Sequence, residues 1–352
     1  MPGVLLTCCF AHGVPGQKKF FGTSLERGAL IGMNTSLCLH GFRPLPVPET
    51  EAGKPRRCGV EIEFSGLDEG ATARLVAQVL GGSVTEEVEH FYTIDQSTIG
   101  RVGVELDTRF AKPGKKVFPE SVLDAARTVV PVEIVTAPLL PEQMDDLVEL
   151  IDALKSAGAK GTGDSLFAGF GIHFNPEVVG FEHPHTLRTI QSYALLESWL
   201  RAWRPLDLSR RVLPFVAPWP EALCDALVSA RDLTLPQVMA LCKSHLDGRN
   251  HGLDLLPLLH AHDAETFDHS FGAQASGARP AFHFRLPDCR LDEAEWSITQ
   301  EWDRWWLVEA LAADTERFAR LREAWQQKDT GRRDWTDTVS RVIGPDGERL
   351  FS

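Results

Sequence analysis

No apolar run in this sequence approaches the roughly 18–20 residues that a membrane-crossing helix needs, so no membrane partner is expected. Cys-x-x-Cys pairs are also missing. The seven cysteines (Cys8, Cys9, Cys38, Cys58, Cys224, Cys242 and Cys289) are scattered and odd in number. In a chain of 352 residues this pattern reads as reduced and cytoplasmic rather than as a disulfide framework. Positive charge is in deficit: 36 Lys and Arg face 49 Asp and Glu, a formal net charge of -13. That balance argues against a nucleic-acid partner or an anionic membrane surface. No Walker-type or dinucleotide Gly-rich loop is present, and Gly169 and Gly171 lack the rest of either pattern. Any nucleotide must therefore be held by other means.

What is present is enough apolar material, 43% of residues, to bury a sizeable core. Residues 1–32 show no clear periodicity, and Val4–Leu6 is too short and weakly flanked for a signal peptide. Met1 and Met33 both stay open as starts of translation. Arg43-Pro44-Leu45-Pro46-Val47-Pro48 reads as an extended lead-in. Residues 1–50 are thus expected to form a poorly structured extension, and residues 51–352 a single catalytic domain. That domain divides into a strand-rich part, 57–180, and a helix-rich part, 181–352, with a late strand near 280–286.

Cys58-Gly-Val-Glu-Ile-Glu-Phe64 alternates with a period of two. A strand there turns Val60, Ile62 and Phe64 to one face and Glu61 and Glu63 to the other. Helical spacing follows over 69–80, ended by Gly81-Gly82. Short strands are expected at 83–88, 90–95 and 101–110, a helix near 119–128, and a β-branched strand at Val132–Thr136 stopped by Pro138. Residues 141–157 predict an amphipathic helix, and Phe167–Asn175 a strand. Beyond 180, helices are expected at 185–203, 219–230, 234–246 and 292–328. Strands first, one late strand and many helices suggest α+β with an antiparallel sheet rather than a βαβ series.

Several strands carry the same signature. Glu61 and Glu63 stand about 6–7 Å apart on one face, which fits either a solvent-facing strand or a pair bridged by hard cations such as Mg²⁺. Glu105 and Glu133 are flanked by apolar residues in the same way. His173 and Asn175 share a face opposite Ile172 and Phe174, and His283 shares one with Arg285. Each residue has an ordinary structural explanation taken singly. Together they describe a sheet with one apolar face and one face of carboxylates, imidazoles and cations, which suits a nucleotide–metal site.

Four blocks in order, Gly59–Phe64, Tyr92–Ser97, Val132–Leu139 and Gly171–Asn175, resemble the amidoligase family. That family's catalytic domain is similar to those of glutamate–cysteine ligase and glutamine synthetase. The resemblance covers about 57–180 well and reaches Arg285 with less support. It implies a curved, mostly antiparallel sheet of the glutamine-synthetase-like catalytic type, with packed helices and a helical C-terminal region. ATP and Mg²⁺ would be the cofactors, and small-molecule or peptide carboxylates and amines the substrates. By this resemblance Glu61, Glu63 and Glu133 are metal ligands, and His173 binds metal or phosphate. Asn175 holds nucleotide or substrate, and Arg285 neutralises the transferred phosphoryl group. Asp95 orients the amine or binds metal. Two departures stand out: Gln96 replaces a small residue of the family block, and an insertion at 107–130 carries Arg109, Lys112, Lys115 and Lys116. The chemistry implied is amide formation through an acyl phosphate. A non-catalytic nucleotide- or peptide-binding module and a Mg²⁺-dependent phosphotransferase remain as alternatives.

Other patterns carry less. Gly163-Asp164-Ser165-Leu166 has the letters of a serine-hydrolase signature, but none of the twelve histidines follows an Asp by three residues. His260 and His262 suggest zinc, yet no His-Glu-x-x-His helix or cysteine partner accompanies them, and the stretch reads as a helix end plus loop. Trp296, Trp302, Trp305 and Trp306, at helical spacing, read as core or as a helix–helix contact.

Overall fold

The computed structural model describes residues 41–106, 130–164, 169–212, 216–272, 277–327 and 332–344. Eight strands form one open sheet in the order β2-β3-β4-β5-β1-β6-β8-β7. They are β1 Cys58–Phe64, β2 Ser83–Val88, β3 Phe91–Ser97, β4 Gly100–Leu106, β5 Val132–Thr136, β6 Ile172–Pro176, β7 Leu253–Asp254 and β8 His283–Phe284. All neighbouring strands pair antiparallel. The α+β expectation with an antiparallel sheet is met.

The strict alternation of β1 dictates the register around it. Ile62 pairs with Ile134 of β5 on one side and Ile172 of β6 on the other, and Val60 pairs with Phe174. Ile134 in turn faces Val104 of β4, and Phe174 faces Phe284 of β8. A slip of one residue would turn each of these apolar side chains to the other face, so the register is strongly specified. All seven of these side chains are fully buried. Burying each contributes on the order of 1.5–3 kcal/mol.

Helices cover this apolar face. Helix Glu69–Leu80 is capped by Asp68, whose Oδ1 accepts from Ala71 N at 2.7 Å, and it buries Ala73, Val76 and Leu80. Helix Ile298–Ala313 brings the tryptophans. Trp302 stands edge-on to Phe174 at 5.4 Å, and Trp305 lies 5.1 Å from Phe282 and 5.3 Å from Phe284. Trp296, Trp302 and Trp305 are thus core, and Trp306 is partly buried against it.

Boundaries differ from the sequence reading in several places, each for a local reason. The helix expected over 292–328 is two, because Asp314 leaves helical geometry (φ -86, ψ 91) and caps Thr315–Gln326 by accepting from Arg317 N. The helix expected from 141 opens as a 3-10 turn, Pro141–Gln143, and its α-helical part is Asp146–Ser156. The sixth strand begins only at Ile172, and the late strand has two residues. The stretch read as a helix end plus loop holds helices Leu256–His262 and Ala264–Phe271. Residues 41–50, assigned above to the extension, lie against the Trp helix: Trp302 and Trp306 donate to the carbonyls of Arg43 and Pro44, and Arg43 pairs with Asp303 at 3.1 Å. The helix expected at 119–128, the basic residues of the 107–130 insertion, and Ser165 lie outside the described residues. Among the described residues, no helix is long and apolar enough to cross a membrane, and Cys58, Cys224, Cys242 and Cys289 are free thiols.

One buried ion pair joins sheet and helices. Arg56, just before β1, donates to both carboxylate oxygens of Glu309 at 2.7 Å, and both side chains are fully buried. His185 and Trp305 complete the shell of Glu309 at 3.0 and 2.9 Å. Burial pushes the Glu309 carboxyl up, but the Arg56 charge and hydrogen bonds outweigh it and hold the pKa at about 2. Glu309→Ala leaves the guanidinium buried without its counter-ion and is expected to cost about 3–5 kcal/mol, read by denaturant unfolding. Because the folded pKa is depressed, the carboxylate's contribution is present above the ordinary value of 4.5 and lost as pH falls toward about 2. Glu309→Gln should flatten the loss of stability across that window, and an unchanged slope would remove Glu309 as its source.

Candidate active site

Because β1 alternates, the face opposite the aromatic core receives Glu61 and Glu63. The antiparallel register carries this polarity across the sheet. Glu63 pairs with Glu133 of β5, Glu133 with Glu105 of β4, and Glu61 with His173 of β6. Beyond β6, Asp254 of β7 pairs with His283 of β8. One face therefore runs from carboxylates on β4, β5 and β1 to imidazole and amide groups on β6 and β8.

This face is not a solvent surface at its centre. Glu63, Glu133, His173 and His283 are 1–4% exposed, and Glu61 is 9% exposed. Glu61 is the hub. Its Oε2 lies 2.7 Å from His173 Nδ1, and its Oε1 accepts from Asn175 Nδ2 at 3.1 Å. Arg279 approaches the same Oε1 at 3.6 Å and donates to Asn175 Oδ1 at 2.7 Å. Burial alone would push the Glu61 carboxyl up, but His283 and His173 outweigh that and hold it well below the usual range. Burial likewise holds the His173 imidazole well below its ordinary value, against the pull of Glu61. A neutral His173 still donates from Nδ1, because an ionised carboxylate only accepts. The Glu61–His173 hydrogen bond thus does not require a charged His173.

Glu63 accepts from Gly171 N at 2.9 Å, and its Oε1 lies 3.7 Å from His173 Nε2. Glycine at 171 is required by crowding. A Cβ there would stand 2.9 Å from Arg210 Nη2 and 3.1 Å from His173 Nε2. Arg210, on the short helix Leu208–Val212, is itself buried and braces the chain after β8. It donates to the carbonyls of Arg285, Leu286 and Pro287 and pairs with Asp288 at 3.2 Å.

Two sets of side chains offer ligand atoms within 4.8 Å of one another: Glu63, Glu133 and His173, and Glu61, His173 and His283. Carboxylate oxygens and imidazole nitrogens are donors for divalent cations, and two buried carboxylates at this separation favour a shared counter-charge. The residues present fit a metal site.

Of the residues expected from sequence, the fold brings together Glu61, Glu63, Glu133, His173 and Asn175. Arg285 lies at the edge, where its charge acts on His173 and Asp254 and its Nη1 donates to Arg249 O at 3.1 Å. Asp95 is not brought in. It sits on β3, three strands from β1, half exposed and 3.7 Å from Arg101. His260 and His262 also lie elsewhere, facing Asp268 and Glu182 at 3.6 Å. Sequence reasoning missed Arg279, Asp254 and Arg210, since strands of two residues and a five-residue helix show no periodicity. His283 had a signal in its shared face with Arg285.

The fold and site define an α+β protein whose single antiparallel sheet carries a buried carboxylate–imidazole centre opposite an aromatic core. The family described as “Putative amidoligase enzyme” matches residues 54–307, from just before β1 into helix Ile298–Ala313, and the chain belongs to it. Its name points to a ligase-type enzyme. No curated protein matches the chain.

The Glu61 contact fixes an observable state. In the metal-free protein, His173 is expected as the neutral Nδ1–H tautomer, still unprotonated at the ordinary histidine value of 6.5, read from its imidazole ¹⁵N shifts. An Nε2–H form, or titration at the ordinary value, would contradict the assignment.

Proposed function

We propose that the protein is an ATP- and Mg²⁺-dependent carboxylate–amine ligase, forming an amide bond through an acyl-phosphate intermediate, on a sheet of the glutamine-synthetase-like catalytic type. The observation that carries this reading is the in-register row Glu63–Glu133–Glu105 beside the Glu61–His173–Asn175 cluster and its arginines. Membership of the amidoligase family supports it. Residues 51–352 are read as one catalytic domain in a cytoplasmic protein.

The chemistry asks for what the face offers. A carboxylate is a poor electrophile, and its activation by phosphoryl transfer needs in-line positioning and neutralisation of the non-bridging oxygens. Glu63, Glu133 and His173 would hold Mg²⁺, with Glu61 beside them. Bound Mg²⁺ supplies charge neutralisation to the phosphates. Arg285 and Arg279 lie on the β6–β8 side of the cluster, where they would meet anionic oxygens with fixed positive charge. Asn175, held by Glu61 and Arg279, presents an oriented amide to nucleotide or substrate. Glu61, kept ionised, or its neighbours on β5 and β4, would accept the proton of the attacking amine. The substrates in this reading are small-molecule or peptide carboxylates and amines. The structure leaves Asp95 three strands away from Glu61, so the roles first implied for it pass to residues inside the cluster.

Calorimetric titration of a slowly hydrolysed ATP analogue, with and without Mg²⁺, is the first test. Binding that needs Mg²⁺ and is lost in Glu63→Gln is expected, and no binding in the presence of candidate carboxylates would overturn the reading. In an ADP-release assay over carboxylate and amine pairs, Glu63→Gln and Glu133→Gln should each lower turnover by at least about 100-fold. Asp95→Asn, which alters an exposed ion pair, should change it by less than about fivefold. Equal losses in all three would return Asp95 to the site.

A further inference from the structure

The polar face of the sheet is not polar throughout. Val135 of β5 alternates with the core residue Ile134 and so shares the face of Glu133. Its partners in the register are Glu61 of β1 and Gly103 of β4, and Gly103 in turn faces Thr93 of β3. Phe91 faces Glu105 on the same side. Val135 and Phe91 are partly buried, while Ile94, Val102, Val104 and Ile134, which point the other way, are fully buried in the core. The missing side chain at Gly103 lets the Phe91 ring lean onto β4: a Cβ there would stand 3.6 Å from Phe91 Cε2. The bulge between Glu86 and Val88 sets Val88, 64% exposed, opposite Phe91. Val88, Phe91, Gly103 and Val135 thus form an apolar strip that ends beside Glu61.

The outward positions of an antiparallel strand are ordinarily polar where they meet water. An apolar strip there gains from losing its water when the apolar surface of a ligand lies on it. The charges around the strip decide which ligand. At its far side, Glu87 Oε1 accepts from Thr93 Oγ1 at 2.8 Å and from Arg101 Nη2 at 3.1 Å, and Arg101 also stands 3.7 Å from Asp95. Arg101 thus serves both carboxylates there. The carboxylate row Glu105–Glu133–Glu63 runs along the flank of the strip. At the other end of the face, Arg279 approaches Glu61, and the charge of Arg285 acts on His173. The face is therefore polarised: a cation is drawn to the β4–β5 side and an anion to the β6–β8 side.

We infer that Val135, Gly103 and Phe91 form the subsite of the amine substrate, and that this substrate is a primary amine carrying an apolar or aromatic group rather than ammonia or a polar amine. Its ammonium group meets Glu105 and Glu133, and its apolar group lies on Val135 and Gly103 against the edge of Phe91. Val88 extends the same surface outward, so a longer apolar chain finds further contact there. A carboxylate substrate placed here would set its own charge against the glutamate row, and it belongs instead on the arginine side. Position 103 then controls specificity, because any side chain larger than hydrogen takes space from the floor of the subsite. The inference names the amine class within the ligase reading and rests on that reading.

The test titrates three probes into the full chain by calorimetry, with Mg²⁺ and without nucleotide. Phenylalaninamide carries a cation and an aromatic ring, glycinamide the cation alone, and N-acetylphenylalanine the ring with a negative charge. Phenylalaninamide should bind at least about tenfold more tightly than glycinamide. It should also bind at least about tenfold more tightly than N-acetylphenylalanine. Gly103→Val fills the floor and should shrink the preference between the two amides to less than about threefold. Val84→Thr, at an exposed valine of β2 that pairs with Ile94 on the other face, should leave that preference in place. Equal binding of the two amides, no binding of phenylalaninamide, or tighter binding of N-acetylphenylalanine overturns the proposal, and so does an unchanged preference in Gly103→Val. The wild-type comparison decides the matter even where Gly103→Val fails to fold. Failure of the ligase reading would appear as the amide preference intact with no ADP release for any amine. Failure of the amine assignment alone would appear as ADP release of equal efficiency with both amides.

Discussion

Burying the carboxylate of Glu61 in the middle of an eight-stranded sheet is the constraint on which the rest of the site depends. An ionised group removed from water must be given donors or charge in return. Here both oxygens are provided for: His173 on one, Asn175 and Arg279 on the other. Those partners come from β6 and from the approach to β8, so the charge of one residue on β1 fixes what can stand on its neighbours. The same demand repeats one shell out. Asn175 is oriented by Arg279, His283 is faced by Asp254, and Asp254 is held by Arg249. A buried polar network of this kind is stabilising only when its members are satisfied, which explains why it extends so far along the β6–β8–β7 side.

The apolar face makes that network possible. A sheet whose strands alternate strictly cannot expose its carboxylates at will, because moving them means moving Val60, Ile62 and Phe64 out of the core. The helices lock the arrangement. Trp302 and Trp305 press on Phe174, Phe282 and Phe284, and the Arg56–Glu309 pair fastens the entry of β1 to the same helix. Arg210 does comparable work below the site, binding the carbonyls that follow β8 and leaving no room for a side chain at position 171. The precision of the polar face is thus set largely by residues that take no part in any chemistry.

Asp95 shows where a motif and a site part company. It stands in one of the four blocks that resemble the amidoligase family, and its strand forms as expected. The sheet order nevertheless places β4 and β5 between β3 and β1. At about 4.8 Å per strand, that distance puts its carboxylate beyond the reach of the cluster, and Arg101 takes it instead. Strand order is a long-range property, and no local pattern encodes it. Glu133, by contrast, lies on a strand directly beside β1 and in register with Glu63, and the sheet delivers it to the site.

By itself the sequence determined the periodic elements: the alternating strands at 58–64 and 132–136, the helix over 69–80, the long helix before 203, and the sorting of Glu61, Glu63, Glu133, His173 and Asn175 onto faces opposite apolar residues. These follow from chirality and pleat, which act over a few residues and leave their period in the chain. Only the tertiary structure decided which strands are neighbours, that the polar face is buried at its centre, and that Arg279, His283 and Asp254 join it. β7 and β8 have two residues each and show no period to read. Their place comes from pairing with β6 and with one another, and from the helices packed on their other face. Contacts between residues distant in the chain carry that information, and it exists only once the chain has folded.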